Sequence, residues 1–293
     1  MFEYRLHGHP VQALEQSQIL RRHLGKMHPF AVSRAGWKLH VPVQVGVSGI
    51  LAGDFTCALT AFTEAQLHPP LPAFSFLSRD ALVKTALIHA AFGNVTTAKA
   101  HLERADQLPR TSSWIESQID AHHDFASLLS EVDAQHQPLE SLQSINLHDV
   151  GEMWPFYVLA TSQLCQSFGQ YDELEHRLNM LDAMSFPKVD GEGFSGSIIP
   201  LEKALLAMRS GRVAEAQELI NRGRYAICLC STRPGRAVSL CRAPETGHPR
   251  GPAAPRGNPR VQENRTAKIM HSCPSSSPDK RYKKCHRRLG ICC

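Results

Sequence analysis

The residues best suited to chemistry fall into four groups. Gly191–Gly196 reads GEGFSG and matches the spacing G-x-G-x-x-G. In a dinucleotide site that spacing turns a buried strand into a helix N-terminus beneath a pyrophosphate. Here SFPKVD precedes it and Ile199-Pro200 follows, so the stretch is expected to be a loop. The nested Gly193-Phe194-Ser195-Gly196-Ser197 misses the G-x-S-x-G nucleophile elbow by one position. His122, His123 and Asp124 suggest a metal or an acid–base pair, but adjacent helical side chains diverge by about 100°. Ala126 also stands where an i+4 ligand to His122 is needed, so surface or interface histidines are expected. Cys273, Cys285, His286, Cys292 and Cys293 offer zinc-ligand types without a C-x-x-C knuckle to set their geometry. The run KRYKKCHRR supplies Lys280, Arg281, Lys283, Lys284, Arg287 and Arg288, candidate contacts to nucleic-acid phosphates. Such contacts release counterions whatever the base sequence. These groups contain no set of nucleophile, base and orienting partner, so no catalytic, cofactor or metal site is expected and the chain is read as non-enzymatic.

The composition of the 293-residue chain changes abruptly along its length. Residues 222–293 carry sixteen Lys and Arg against Glu245, Glu263 and Asp279, a balance of +13, while residues 1–221 carry a balance of −8. Seven of the nine cysteines and eight of the nineteen prolines also lie beyond Asn221. The expected organisation is a helical domain over 1–221 and a basic, disordered tail over 222–293, too poor in periodic apolar residues to bury a core. The helix that starts near Arg212 breaks off after Ile220 and gives way to RPGRAVSLCRAPETGHPRGPAAPRGNPR. That mix of Arg, Pro, Gly and Ala reads as GC-rich coding DNA translated out of frame from about Asn221–Tyr225; the alternative is a genuine basic tail.

Residues 1–221 contain a repeat. Gly8, Gly53, Gly93, Gly169 and Gly211 are each followed five residues later by Ala13, Ala58, Ala98, Leu174 or Ala216. The stripes Phe55/Ala58/Phe62/Ala65, Val95/Ala98/Leu102/Ala105 and Tyr171/Leu174/Leu178/Leu181 follow i, i+3, i+7, i+10, one face of an α-helix. Helical faces also precede the glycines, as in Tyr157, Ala160, Thr161, Leu164, Cys165 and Phe168. Each unit therefore reads helix, Gly turn, helix. The double-length gap between Gly93 and Gly169 predicts a degenerate unit near Asp133. Units of about 40 residues with one apolar stripe each must stack to bury it. The fold expected is all-α, a tetratricopeptide-like α-solenoid of helical hairpins, with loops at His68–Phe76, Leu108–Trp114 and Ser185–Pro200. Ser112 or Ser113 is the expected N-cap of a helix beginning near Trp114, with Glu116 placed to close a capping box.

The run WPFYVLATSQLCQSFGQYDELEHRL, followed by IIPLEKALLAMRSGRVAEAQELI, resembles the tetratricopeptide-like helical region of MalT-like bacterial transcriptional regulators of the LuxR family. The resemblance spans about Phe2 to Ile220. It implies a helical array that binds a partner or effector, set between an ATPase module and a DNA-binding helix-turn-helix. No G-x-x-x-x-G-K-[ST] phosphate loop occurs, and the tail's ENRTAKIMHS, SPDKRYKK and HRRLGICC echo the family's C-terminal signature without its T-V-K-x-H core. The function expected is the partner- or effector-binding part of such a regulator, without ATPase or working DNA-binding domain, acting through a concave surface between repeats. The alternatives are a nucleic-acid-binding protein that uses the basic tail, or an orphan repeat scaffold. No signal peptide or membrane span is evident, so a cytoplasmic location is expected. Weak, non-specific DNA binding through the tail is expected, as is self-association through the uncapped N-terminal edge.

Overall fold

The structure, a computed structural model, describes residues 1–28, 36–68, 72–110, 114–131, 142 and 145–223. Within them the chain is all-helical. The helices are α1 (Phe2–Leu6), α2 (Pro10–Leu24), α3 (Trp37–Ala52), α4 (Phe55–Gln66), α5 (Ser75–Ala91), α6 (Val95–Asp106), α7 (Trp114–Glu131), α8 (Leu147–Val150), α9 (Trp154–Ser167), α10 (Tyr171–Ala183), α11 (Gly193–Arg209) and α12 (Val213–Arg222). Short 3₁₀ turns at Pro72–Phe74 and Gly151–Met153 lead into α5 and α9.

Backbone hydrogen bonds show the repeat directly. All five turn glycines have φ between 68° and 84°, a left-handed conformation in which a side chain is strained. At Gly53 the amide donates to Ile50 and the next amide, Asp54, reaches back to Gly49 at 2.8 Å. The pair Asn94→His89 recurs at 2.8 Å, as do Gln170→Cys165, Arg212→Ala207 and His9→Tyr4. This six-to-one closure is the Schellman ending of a helix. The residue after each glycine also accepts the first bond of the next helix, as Asp54 does from Ala58 and Arg212 from Ala216. Two residues therefore end one helix and begin the next. Asp54 strengthens its turn by accepting from the Cys57 amide at 2.9 Å.

The first helix of each unit lies inside and the second outside. Helices α3, α5, α9 and α11 pack in sequence, and α11 returns to pack against α3 and α2. The superhelix thus curls far enough for the last hairpin to meet the first. Phe55, Phe92, Phe156 and Phe194, one from each of four hairpins, meet at this junction with ring centroids 5.0–6.1 Å apart. Inner helices are buried nearly all round: every residue of α5 is buried except Phe76 and His89. Outer helices bury one stripe each, namely Ala98, Leu102 and Ala105 in α6, and Leu174, Leu178 and Leu181 in α10. The sequence stripes therefore lie where the spacing predicts. Among the described residues the inner helices α3, α5, α9 and α11 pack on one another along the inside of the curl.

The loop expected over Ser185–Pro200 is corrected from residue 193 onward: residues 193–200 form the first two turns of α11 and are fully buried. Pro200 has no N–H and would clash with a normally bonded carbonyl four residues earlier. The Gly196 carbonyl instead accepts from the Gly191 amide at 2.9 Å. A Cβ on Gly196 would stand 1.9 Å from the Val189 carbonyl oxygen, so the glycine permits this fold-back. Pro42 is likewise inside α3.

Candidate functional site

Two of the four groups singled out by sequence lie among the described residues. GEGFSG forms the Gly turn and N-terminus of α11, and Gly193 packs against the Leu51 carbonyl, where a Cβ would approach to 2.6 Å. That space is occupied by the protein itself. His122 is buried under α8, where its Nε2 donates to the Val150 carbonyl at 2.7 Å. Burial, reinforced by the Lys84 charge, pushes His122 down to about 4, so the ring is neutral. His123 faces Asp106 at 3.3 Å and Asp124 at 3.6 Å. The pair thus divides between an interface and an outer face, as adjacent helical positions require. The fourth group, Lys280, Arg281, Lys283, Lys284, Arg287 and Arg288, lies outside the described residues, as do the tail cysteines, Asp133, Ser112 and Ser113. No group of three or more side chains suited to a metal ion occurs among the described residues.

A polar network absent from the sequence reading lies between α5 and α7. Arg79 is fully buried in α5. Its Nη1 donates to Glu116 at 2.7 Å and its Nη2 to Asp120 at 2.5 Å, and Arg110 reaches Asp120 from the rim at 3.3 Å. One turn along, Asp80 and Lys84 form a second buried pair. Charges this deep are tolerated because each has a partner of opposite sign; Arg79 ties α5 to α7, whereas Asp80 and Lys84 pair within α5. The sequence signal was a cluster of Arg79, Asp80 and Lys84 on a helix otherwise built for the interior.

Open concavity occurs at the outer edge of α10. A cleft of about 460 Å³ is walled by Asn146, His148, Tyr157, Glu173, His176, Arg177, Met180 and Met184. The methionines and the Tyr157 ring line it with apolar surface. His148, His176 and Asn146 add hydrogen-bonding groups, while Arg177 is tied to Glu173 at 2.5 Å. Burial pushes the Tyr157 phenol up, and its hydroxyl donates to the Leu142 carbonyl at 3.4 Å. Spacing could not reveal this cleft, because its walls come from α9, α10, α8 and the residues just before α8.

The cysteines in the described region are poor nucleophiles. Burial pushes Cys165 up to about 11, and burial followed by the Asp54 charge pushes Cys57 up as well. No helix among the described residues is long and apolar enough to cross a membrane. Comparison with protein-family models, with curated proteins and with solved structures finds no match to this chain.

Proposed function

We propose that residues 1–221 are the partner- or effector-binding helical repeat portion of a LuxR-family-like transcriptional regulator, acting without catalysis. The observation that carries this reading is the division of labour in the fold: a filled interior holds the hairpins, leaving the outer edge and its α10 cleft for recognition. Methionine walls suit a ligand because the thioether side chain adapts its shape. An apolar lining with a few convergent polar groups suits a small amphipathic molecule whose head is met by His148, His176 or Asn146. Supporting the non-enzymatic reading, burial favours the protonated form of the Cys57 and Cys165 thiols, and it lowers His122, bonded to the Val150 carbonyl, and the half-buried His101, stacked on His89, to about 4. A ligand that binds the folded state alone raises its melting midpoint. A thermal-shift screen of small amphipathic acids and amines should therefore find stabilisers whose effect disappears in Met184→Glu. A panel whose hits stabilise that variant equally places recognition elsewhere.

The regulator assignment has its own test. Sequencing the coding locus beyond the codon for Asn221 and reading all three frames should reveal T-V-K-x-H at helix-turn-helix distance. Its absence from every frame reduces the assignment to an orphan repeat scaffold. Within this reading the basic residues Lys280–Arg288 bind DNA weakly, lose affinity steeply between about 50 and 200 mM salt, and do not discriminate sequence.

A further inference from the structure

Helix α11 is the hub of the curl, packing against α2, α3, α9, α10 and α12. In its buried middle stands a carboxylate, Glu202, 5% exposed. Gln166 of α9 donates to Glu202 Oε2 at 3.2 Å. Ser162, also on α9, is the other polar group turned toward it. The charged groups on neighbouring elements are engaged elsewhere. Asp182 of α10 holds Lys188 and Lys203 at 2.6 and 2.7 Å. Arg212, ahead of α12, holds Glu175 and Glu215 at 3.1 and 3.0 Å. Before α2, His9 faces Glu192 at 2.9 Å, and on α2 Arg21 pairs with Glu64. Near the start of α3, His40 lies within reach of the Arg5 charge. Among the described residues Glu202 therefore has hydrogen-bonding neighbours and no cation, whereas Arg79 in the equivalent inner helix α5 has charged partners.

We propose that Glu202 makes the seating of the last hairpin proton-dependent: α11 and α12 are held against α9 while the carboxyl is protonated, and they loosen when it ionises. A neutral carboxylic acid between apolar helices costs little, whereas an uncompensated carboxylate there favours any opening that admits water. The hairpin is terminal in the described array, so it can undock without unthreading the others. Burial raises Glu202 to about 7, with Ser162 and Gln166 opposing the rise. The seated form thus binds the proton more tightly than the open form, and the contribution is full at low pH and is lost as pH rises through neutrality.

Hydrogen exchange on the full chain at pH 6 and pH 8, corrected for the intrinsic rate, tests this. Protection of the amides in residues 197–209 should fall roughly tenfold between the two, from linkage between a carboxyl near 7 when seated and an ordinary one when open. Protection within α5 should show no such fall, since protonation of His122 in the open chain can only lower it toward pH 6, and it serves as the internal reference. Glu202→Gln, which keeps shape and removes the proton, should abolish the fall. Gln166→Leu removes the amide that favours the ionised form and should move the fall to higher pH. A native chain with equal α11 protection at both pH values overturns the proposal, and so does Glu202→Gln that retains the tenfold loss.

Discussion

Helices α5 and α6 belong to one hairpin and share the turn at Gly93, yet their surroundings have nothing in common. Almost every side chain of α5 is buried, including Arg79, Asp80 and Lys84. In α6 the buried side chains are Ala98, Leu102 and Ala105. The turn chemistry cannot account for this, because both helices meet the same glycine. The curl accounts for it: the inner helix is enclosed by α4, α7, α3 and its own partner, whereas the outer helix touches neighbours on one side. An inner helix must therefore leave its ionisable groups paired, as Arg79 is, or neutral, as protonated Glu202 is, and an outer helix needs one stripe of small and branched residues.

The largest effect should come from breaking an inner pairing. Arg79→Ala leaves Glu116 buried without its cation and should destabilise the fold by about 3–5 kcal/mol in urea titration. A loss below about 1 kcal/mol would show that water reaches Glu116 and that α5 is not enclosed. On the outer side, Leu178→Ala should cost roughly 2–5 kcal/mol, since it opens a cavity beneath a side chain that is fully buried. Its outward-facing neighbour Met180 is 54% exposed, and Met180→Ala should change stability by no more than about 0.5 kcal/mol. Similar costs for the two would contradict a one-stripe outer helix.

His122 sharpens the comparison through pH. Its folded value near 4 lies below the ordinary 6.5, so the unfolded chain takes up the proton first and stability falls as pH drops from about 6.5 toward 4. Urea midpoints measured across that range should fall less steeply in His122→Gln than in the native chain.

Between these and the surface changes lie the turn glycines. Gly169 has φ 68° and open space where a Cβ would stand, so Gly169→Ala should cost about 1–2 kcal/mol from backbone strain alone. Gly193 has a similar φ, but its Cβ would meet the Leu51 carbonyl at 2.6 Å. Gly193→Ala should therefore cost clearly more by the same urea assay. Equal losses would show that α11 is not pressed against α3.

The hairpins were legible in the sequence because they rest on local chemistry. A glycine followed five residues on by a small or apolar residue specifies a left-handed turn and the first contact of the next helix. The start of α11 was not legible, because Gly196 and Pro200 each read as a breaker when taken alone. Together they fit, since the carbonyl that Pro200 cannot bond is taken by Gly191. Arg79 was passed over because its partners lie 37 and 41 residues away, a distance that no periodicity encodes. The cleft beside α10 depends in the same way on three elements meeting. Closure of the curl depends on the sum of small rotations between units, which no single unit contains.

Closure is the central claim, and Phe55 and Phe194 test it most directly. They stand 139 positions apart in the chain, and their rings meet edge to face at 5.3 Å. A double-mutant cycle with Phe55→Leu, Phe194→Leu and the combined variant should give a coupling of about 0.5–1.5 kcal/mol, the usual worth of an aromatic pair beyond its buried area. If the two losses add with no coupling, the second and last hairpins do not meet at these rings, and the array is an open solenoid with a free concave face.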